Sequence, residues 1–208
     1  MLKKICLVLI LLSFVVAIVL YPMMPEKMAA HWNAQGEADG YMHKLWGLFF
    51  VPVIVLGIFL LMLWLPNKDP LRNIGNTRAY ELVLLMLTLF FLYVYALMII
   101  WHFDVRYHMG EALSPAFGVL FIVLGYAIKD IKQNWFMGIR TPWTLSSEKV
   151  WKKTHELGSK LFIIAGIISC FGLFLENYAL IVLIGPVLVF VVYLFLYSYV
   201  EFKKEKKK

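Results

Sequence analysis

The chain has 208 residues, of which 62% are hydrophobic and only 16% charged, and it carries a net charge of +7. Soluble globular proteins hold about 25% charged residues, and a chain of this size in water has no means of hiding so much apolar surface. Lipid is therefore the expected solvent for most of it. The positive charge, which would suggest nucleic acid in a soluble protein, has a membrane explanation in its distribution, and no direct nucleic-acid partner is expected.

Six apolar stretches, at about 5–21, 46–65, 81–101, 112–128, 160–175 and 178–199, each approach the ~20 residues a helix needs to cross a bilayer. Their apolar runs are continuous rather than alternating, which predicts helices and not barrel strands. Lys3 and Lys4 before the first run resemble the start of a signal peptide. The nearest small-residue pair, Ala29-Ala30, lies well beyond the apolar end and after two prolines, so an uncleaved anchor is expected. Cys6 and Cys170 fall in apolar runs with no His or second Cys at metal-ligand spacing, so neither a disulfide nor a zinc framework is expected. On the fifth helix, Gly158, Ala165, Ser169 and Gly172 place small side chains on one face, where another backbone can approach. Pro186 is expected to kink the sixth.

Lysine and arginine counts set the predicted orientation. With a cytoplasmic N-terminus, 17 of the 20 basic residues fall on the inner side: Lys3 and Lys4, the 66–79 connection, the 129–159 loop with Lys160, and the tail through Lys208. Only Lys27, Lys44 and Arg106 remain outside. The reading is a plasma-membrane protein with both termini cytoplasmic, its lysine-rich tail against anionic headgroups. Tyr21, Trp46, Trp101 and Tyr178 mark predicted outer interfaces and Trp64 an inner one.

Two connections are too rich in aromatic and polar residues to be spacers. The outer segment, residues 21–44, contains Tyr21, Pro22, Pro25, His31, Trp32, Gly36 and Asp39. The prolines stop a helix, and Asn33, Gly36, Asp39 and Gly40 supply turn chemistry. The inner segment, residues 134–158, reads Asn134-Trp135-Phe136-Met137-Gly138-Ile139-Arg140-Thr141-Pro142-Trp143-Thr144, followed by Ser146, Trp151 and His155. Ser146 is the expected N-cap, with Glu148 favourably placed against the helix dipole. Val150, Thr154, Leu157 and Leu161 share a face opposite Lys149, Lys152, Lys153, Glu156 and Lys160. This predicts an amphipathic segment lying along the inner leaflet, anchored by Trp135, Trp143 and Trp151, before the chain turns into helix five.

The outer segment resembles the DUF1648 pattern, and the inner run resembles the signature of the SdpI family of compact prokaryotic multi-spanning membrane proteins. The resemblance divides the chain into a DUF1648-like region, 1–65, and an SdpI-like region, 66–208. It implies an all-α bundle of about six transmembrane helices and immunity to a secreted, membrane-active toxic peptide, the sporulation-delaying toxin. It also implies signal transduction through a cytoplasmic transcriptional repressor held at the membrane. On this reading Tyr21, Pro22, Pro25, His31, Trp32, Gly36 and Asp39 contact the toxin. Asn134, Trp135, Gly138, Arg140, Thr141, Pro142, Trp143, Trp151 and His155 form the signalling output.

Other readings remain open. A small-solute or ion transporter would need ionisable groups at membrane depth, and the span middles contain none, although Tyr93, Tyr95, Tyr193 and Tyr197 could line a polar path. Four histidines, His31, His43, His102 and His108, fall on the predicted outer side with Glu37, Asp39, Asp104 and Glu111, making them candidate metal ligands or pH sensors. No phosphate-binding Gly-rich loop, nucleophile elbow or Cys cluster is present, so neither an enzyme nor a cofactor is expected.

Overall fold

The computed structural model describes residues 1–71 and 77–207; the remainder of the 66–79 connection and Lys208 lie outside that range. Six helices are long and apolar enough to cross a membrane: α1 (Leu2–Leu20), α2 (Lys44–Trp64), α3 (Arg78–Trp101), α4 (Met109–Lys129), α6 (Glu148–Cys170) and α7 (Ala179–Lys206). A one-turn helix, α5 (Pro142–Ser146), precedes α6, and two short strands, β1 (Lys27–Trp32) and β2 (Ala38–His43), join α1 to α2. The chain is a multi-pass membrane protein.

Each helix turns a narrow stripe inward. On α1, Cys6, Ile10, Ser13 and Ala17 are buried at steps of three and four residues, the period of one helical face. Val8, Leu12, Val15 and Val19, on the other faces, are each more than half exposed. The perimeter of α7 is the same, with Leu188, Val189 and Val192 turned outward. So continuous an apolar exterior is stable only in lipid. Trp46, Tyr178 and Trp64 are exposed near helix ends, as interfacial anchors would be.

The first three spanning helices share two apolar clusters. One joins Cys6 and Ile10 of α1 to Val55 and Phe59 of α2 and Leu84 of α3. The other joins Ala17, Leu48, Tyr95, Met98 and Ile99 to Met24 and Met28 of the first connection. Packing thus runs across residue 65, with α3 lying against α1 and α2 as well as α4. The closest helix approach is between α4 and α6. A side chain at Gly166 would come within 2.5 Å of the Gly118 carbonyl oxygen, and one at Gly125 within 2.8 Å of the Ser159 carbonyl oxygen. These glycines let the two backbones touch.

The structure adds one feature and corrects three expectations. The first connection, for which turn chemistry was expected, is a β-hairpin. Its turn is closed by Asn33, whose Oδ1 accepts from the Gln35 and Glu37 amides at 3.0 and 2.9 Å, with Gly36 at φ 79°, where a Cβ would be strained. There is no separate leaflet helix turning into helix five, because α6 runs unbroken from Glu148 and the expected amphipathic segment is its first three turns. The buried face of those turns is Val150, Trp151, Thr154, His155, Gly158 and Ser159, rotated from the expected one, and Leu157 and Leu161 are only half-buried. The N-cap is Ser147, which accepts from the Val150 amide at 3.2 Å, whereas Ser146 donates to Pro142 O. The α7 helix continues through Pro186.

Candidate functional site

The residues singled out from the sequence gather at the two ends of the bundle. At one end lie the hairpin and the 102–108 and 171–178 connections; at the other lie the 65–71 segment, the 130–147 segment and the chain termini.

At the hairpin end, β1 lies against the helices. Met28 and Ala29 are buried, and Gly47 of α2 leaves room for Met28, whose Sδ would lie 2.9 Å from any Cβ there. Trp32 packs edge-on against Trp101 with ring centroids 5.6 Å apart, and Trp101 against Tyr107 at 5.5 Å. The Tyr107 hydroxyl donates to Leu97 O, and burial pushes its pKa up to about 12. Gly36 tucks beneath the His108 ring, whose Cδ2 would be 2.7 Å from a Cβ at that position. Tyr21 is half-buried, with the Lys44 ammonium 4.8 Å above its ring. Pro22, inside the 3-10 turn Tyr21–Met23, and Pro25 are exposed. Glu26 receives Lys44 Nζ at 2.8 Å and His43 Nε2 at 3.3 Å; the hydrogen bond from Lys44 holds its carboxyl below the usual value.

A cleft of about 320 Å³ opens beside the hairpin, bounded by Trp32, Met42, Trp46, Phe50, Val94 and Met98 among others. Its walls are almost wholly apolar. The Trp32 indole nitrogen and both ring nitrogens of His108 are buried with no hydrogen-bond partner. Buried polar atoms of this kind are uncommon and call for an explanation.

The four outer histidines do not converge on a metal. His31 Nδ1 pairs with Asp39 Oδ1 at 2.6 Å. His43 caps α2 by accepting from the Leu45 amide at 3.2 Å. His102 is tied to Met98 and Ala29, and His108 covers Gly36. Among the described residues no group of three or more His, Cys, Asp or Glu is placed to hold a metal ion. The tyrosines do not define a common polar path either. Tyr93 bonds Ala112 O, Tyr95 is buried, and Tyr193, about half exposed, leans toward Tyr197.

At the opposite end the signature residues interlock. Asn134, wholly buried, uses its full capacity: Nδ2 donates to Lys132 O and Met137 O at 2.9 Å, and Oδ1 accepts from the Phe136 and Met137 amides at 2.9 and 2.7 Å. Thr141 and Thr144 form a reciprocal capping box around α5. Thr141 Oγ1 also meets Ser198 Oγ of α7 at 3.0 Å. Pro142 opens α5, and Trp143 packs against Phe195 and Tyr199, both at 4.9 Å. Trp151 is not an interfacial anchor: it is 2% exposed, and its Nε1 donates to Ile131 O at 2.7 Å. Its ring stacks on His155 at 4.0 Å. Trp135 and Arg140 are exposed, and Arg140 donates to Trp135 O. The buried Asp69, which the sequence did not single out, accepts from the Trp135 amide at 3.3 Å. An isolated Asp in a short connection carried no signal of that role.

Histidines at the two ends work alike. His155 Nδ1 lies 2.8 Å from Trp151 O, and Nε2 accepts from the Ile139 amide at 2.9 Å. His102 Nδ1 lies 2.8 Å from Met98 O, and Nε2 accepts from the Ala29 amide at 2.9 Å. In both, a proton on Nδ1 is required by the facing carbonyl four residues earlier, which leaves Nε2 bare to take a distant backbone N–H. Each ring staples a loop to a helix.

Residues 130–198 match the SdpI/YfhL protein family, and residues 8–56 match the domain of unknown function DUF1648. The chain is 30% identical over 201 residues to the immunity protein SdpI of Bacillus subtilis (strain 168), an alignment covering 96% of this chain and 95% of that protein. The chain belongs to the SdpI family. No solved structure matches this SdpI-family member. The two matched segments contain both site clusters: the hairpin lies within the first, and the Asn134–His155 network within the second.

Proposed function

We propose that this SdpI-family protein confers immunity by capturing a secreted, membrane-active toxic peptide at the hairpin end, which faces outward. The observation that carries the reading is the apolar cleft beside the hairpin, together with the unpaired N–H of Trp32. An amphipathic peptide at the bilayer surface offers both complements: apolar side chains for the cleft and backbone carbonyls for the indole. Met42, Trp46 and Phe50 supply adaptable apolar contact. His31 lines the cleft and pairs with the exposed Asp39, Pro22 and Pro25 are exposed in the same connection, and Tyr21 and Gly36 support the hairpin. No bond is made or broken in such capture, so the reading involves neither catalysis nor a cofactor.

Signalling to a cytoplasmic repressor would use the opposite end. Asn134, Gly138, Thr141, Trp151 and His155 are occupied in holding the segment together, which leaves Trp135 and Arg140 as the exposed contact residues, with Pro142 and Trp143 setting the position of α5 against α7.

The test is expression in a strain sensitive to the sporulation-delaying toxin. Wild-type protein should restore survival, and Trp32→Ala should abolish most of it while the protein remains at wild-type level in the membrane fraction. Survival no better than an empty vector, or full protection by Trp32→Ala, overturns the reading.

A further inference from the structure

A second cleft, of about 390 Å³, lies at the end of the bundle opposite the hairpin, between the first turns of α6 and the last turns of α7. Its walls carry four lysines, Lys149, Lys153, Lys204 and Lys207, and two carboxylates, Glu201 and Glu205. Glu201, 7% exposed, is fully engaged: one oxygen receives Lys153 Nζ at 2.5 Å and the other Lys204 Nζ at 2.8 Å. Glu205 accepts from the Ser147 hydroxyl at 2.6 Å. Among the described residues, Lys149 and Lys207 have no acidic partner. The neighbouring Lys203 and Lys206 instead lie over the rings of Tyr199 and Phe202 at 4.7 and 4.9 Å. Four ammonium groups thus face one concavity against two carboxylates, and an anion is the missing complement.

The approach to the cleft indicates which anion. On α7, Val189, Tyr193, Leu196 and Val200 are all exposed, and Lys204 and Lys207 follow them at steps of four, three, four, four and three residues. One helical stripe therefore runs from the lipid-facing span into the lysine cleft. A molecule with an acyl chain along the stripe and a phosphate at its end matches both parts, which a free phosphate does not. We propose that this cleft binds the phosphate headgroup of an anionic phospholipid, with an acyl chain lying along the α7 stripe. The lysine pair Lys149 and Lys207 holds the phosphate, while the Lys153–Glu201–Lys204 clamp shapes the cleft. The site is independent of the immunity reading.

The test uses the full chain, purified in detergent, stripped of lipid and titrated with phosphatidylglycerol, with phosphatidylcholine or with inorganic phosphate, the bound species being counted by native mass spectrometry. The expected result is one retained phosphatidylglycerol per chain that inorganic phosphate does not displace. The double variant Lys149→Gln/Lys207→Gln leaves the Glu201 clamp intact and should bind this lipid roughly twenty-five-fold more weakly, at about fivefold per lysine near an anionic surface. Equal retention of phosphatidylcholine, unchanged binding by the double variant, or displacement by inorganic phosphate would each overturn the assignment, the last by pointing to a soluble anion.

Discussion

Gly138 illustrates how a single missing side chain permits the network at the lysine-rich end. It sits at φ 112°, and a Cβ there would lie 2.4 Å from His155 Nε2 and 3.2 Å from the Trp151 ring. Gly138→Ala therefore introduces backbone strain and displaces the imidazole that accepts the Ile139 amide. A loss of about 3 kcal/mol is expected, read as a fall in the thermal unfolding midpoint in detergent. Gly57→Ala is the control: nothing lies within 4 Å of that site, and the change should be neutral or stabilising by up to ~1 kcal/mol. Glu26 gives the pH counterpart. Its carboxyl is held below 4.5 chiefly by the hydrogen bond from Lys44, so its contribution is present above that pH and is lost as pH falls through the depressed value. Wild type and Glu26→Gln should then differ in melting temperature at neutral pH and converge in acid. The pair is exposed, and the difference should be small.

The α4–α6 pair depends on backbone contact through Gly118, Gly125 and Gly166. Helices in lipid gain no hydrophobic drive from association, so close packing of small residues is what joins them. Gly166→Ala puts a methyl group 2.5 Å from a backbone oxygen, a neighbour that yields only if the helix moves, and should cost about 1–3 kcal/mol. Detergent unfolding followed by tryptophan fluorescence would measure it. Small residues on the fifth span were legible from their spacing, but the backbone contact with α4 falls on Ser159, Gly166 and Cys170, one residue beside the expected Gly158, Ala165 and Ser169. The partner was not legible: Gly118 and Gly125 look unremarkable on α4 until α6 is beside them. The hairpin was missed for a related reason. Its strands are short and irregular, with register shifts on either side of His31, so no alternating pattern marks them.

Six helices are long and apolar enough to cross, and we propose, from the basic bias, that both chain ends lie on the cytoplasmic side. A fluorescent-protein fusion after Lys207 should glow, and alkaline phosphatase at the same point should be inactive. A cysteine at Gln35, in the hairpin turn, should react with an impermeant thiol reagent in intact cells. An active phosphatase fusion would invert the molecule and move the cleft proposed for the toxin to the wrong face. The spans, the family and the two important segments were readable from composition and motif, because the demand for about twenty apolar residues per crossing is written directly into a linear chain. Side-chain roles were not. Grouping His31, His43, His102 and His108 as metal ligands followed from their predicted shared side of the membrane, yet the first three each have their own partner and the His108 ring covers Gly36. Trp151 was placed at the interface by its residue type, yet it is buried against His155. A linear sequence determines which stretches enter lipid, since that depends on hydropathy and length alone. Which nitrogen meets which amide, and which lysines share a cleft, depends on angles and distances between segments far apart in the chain, and only packing decides those.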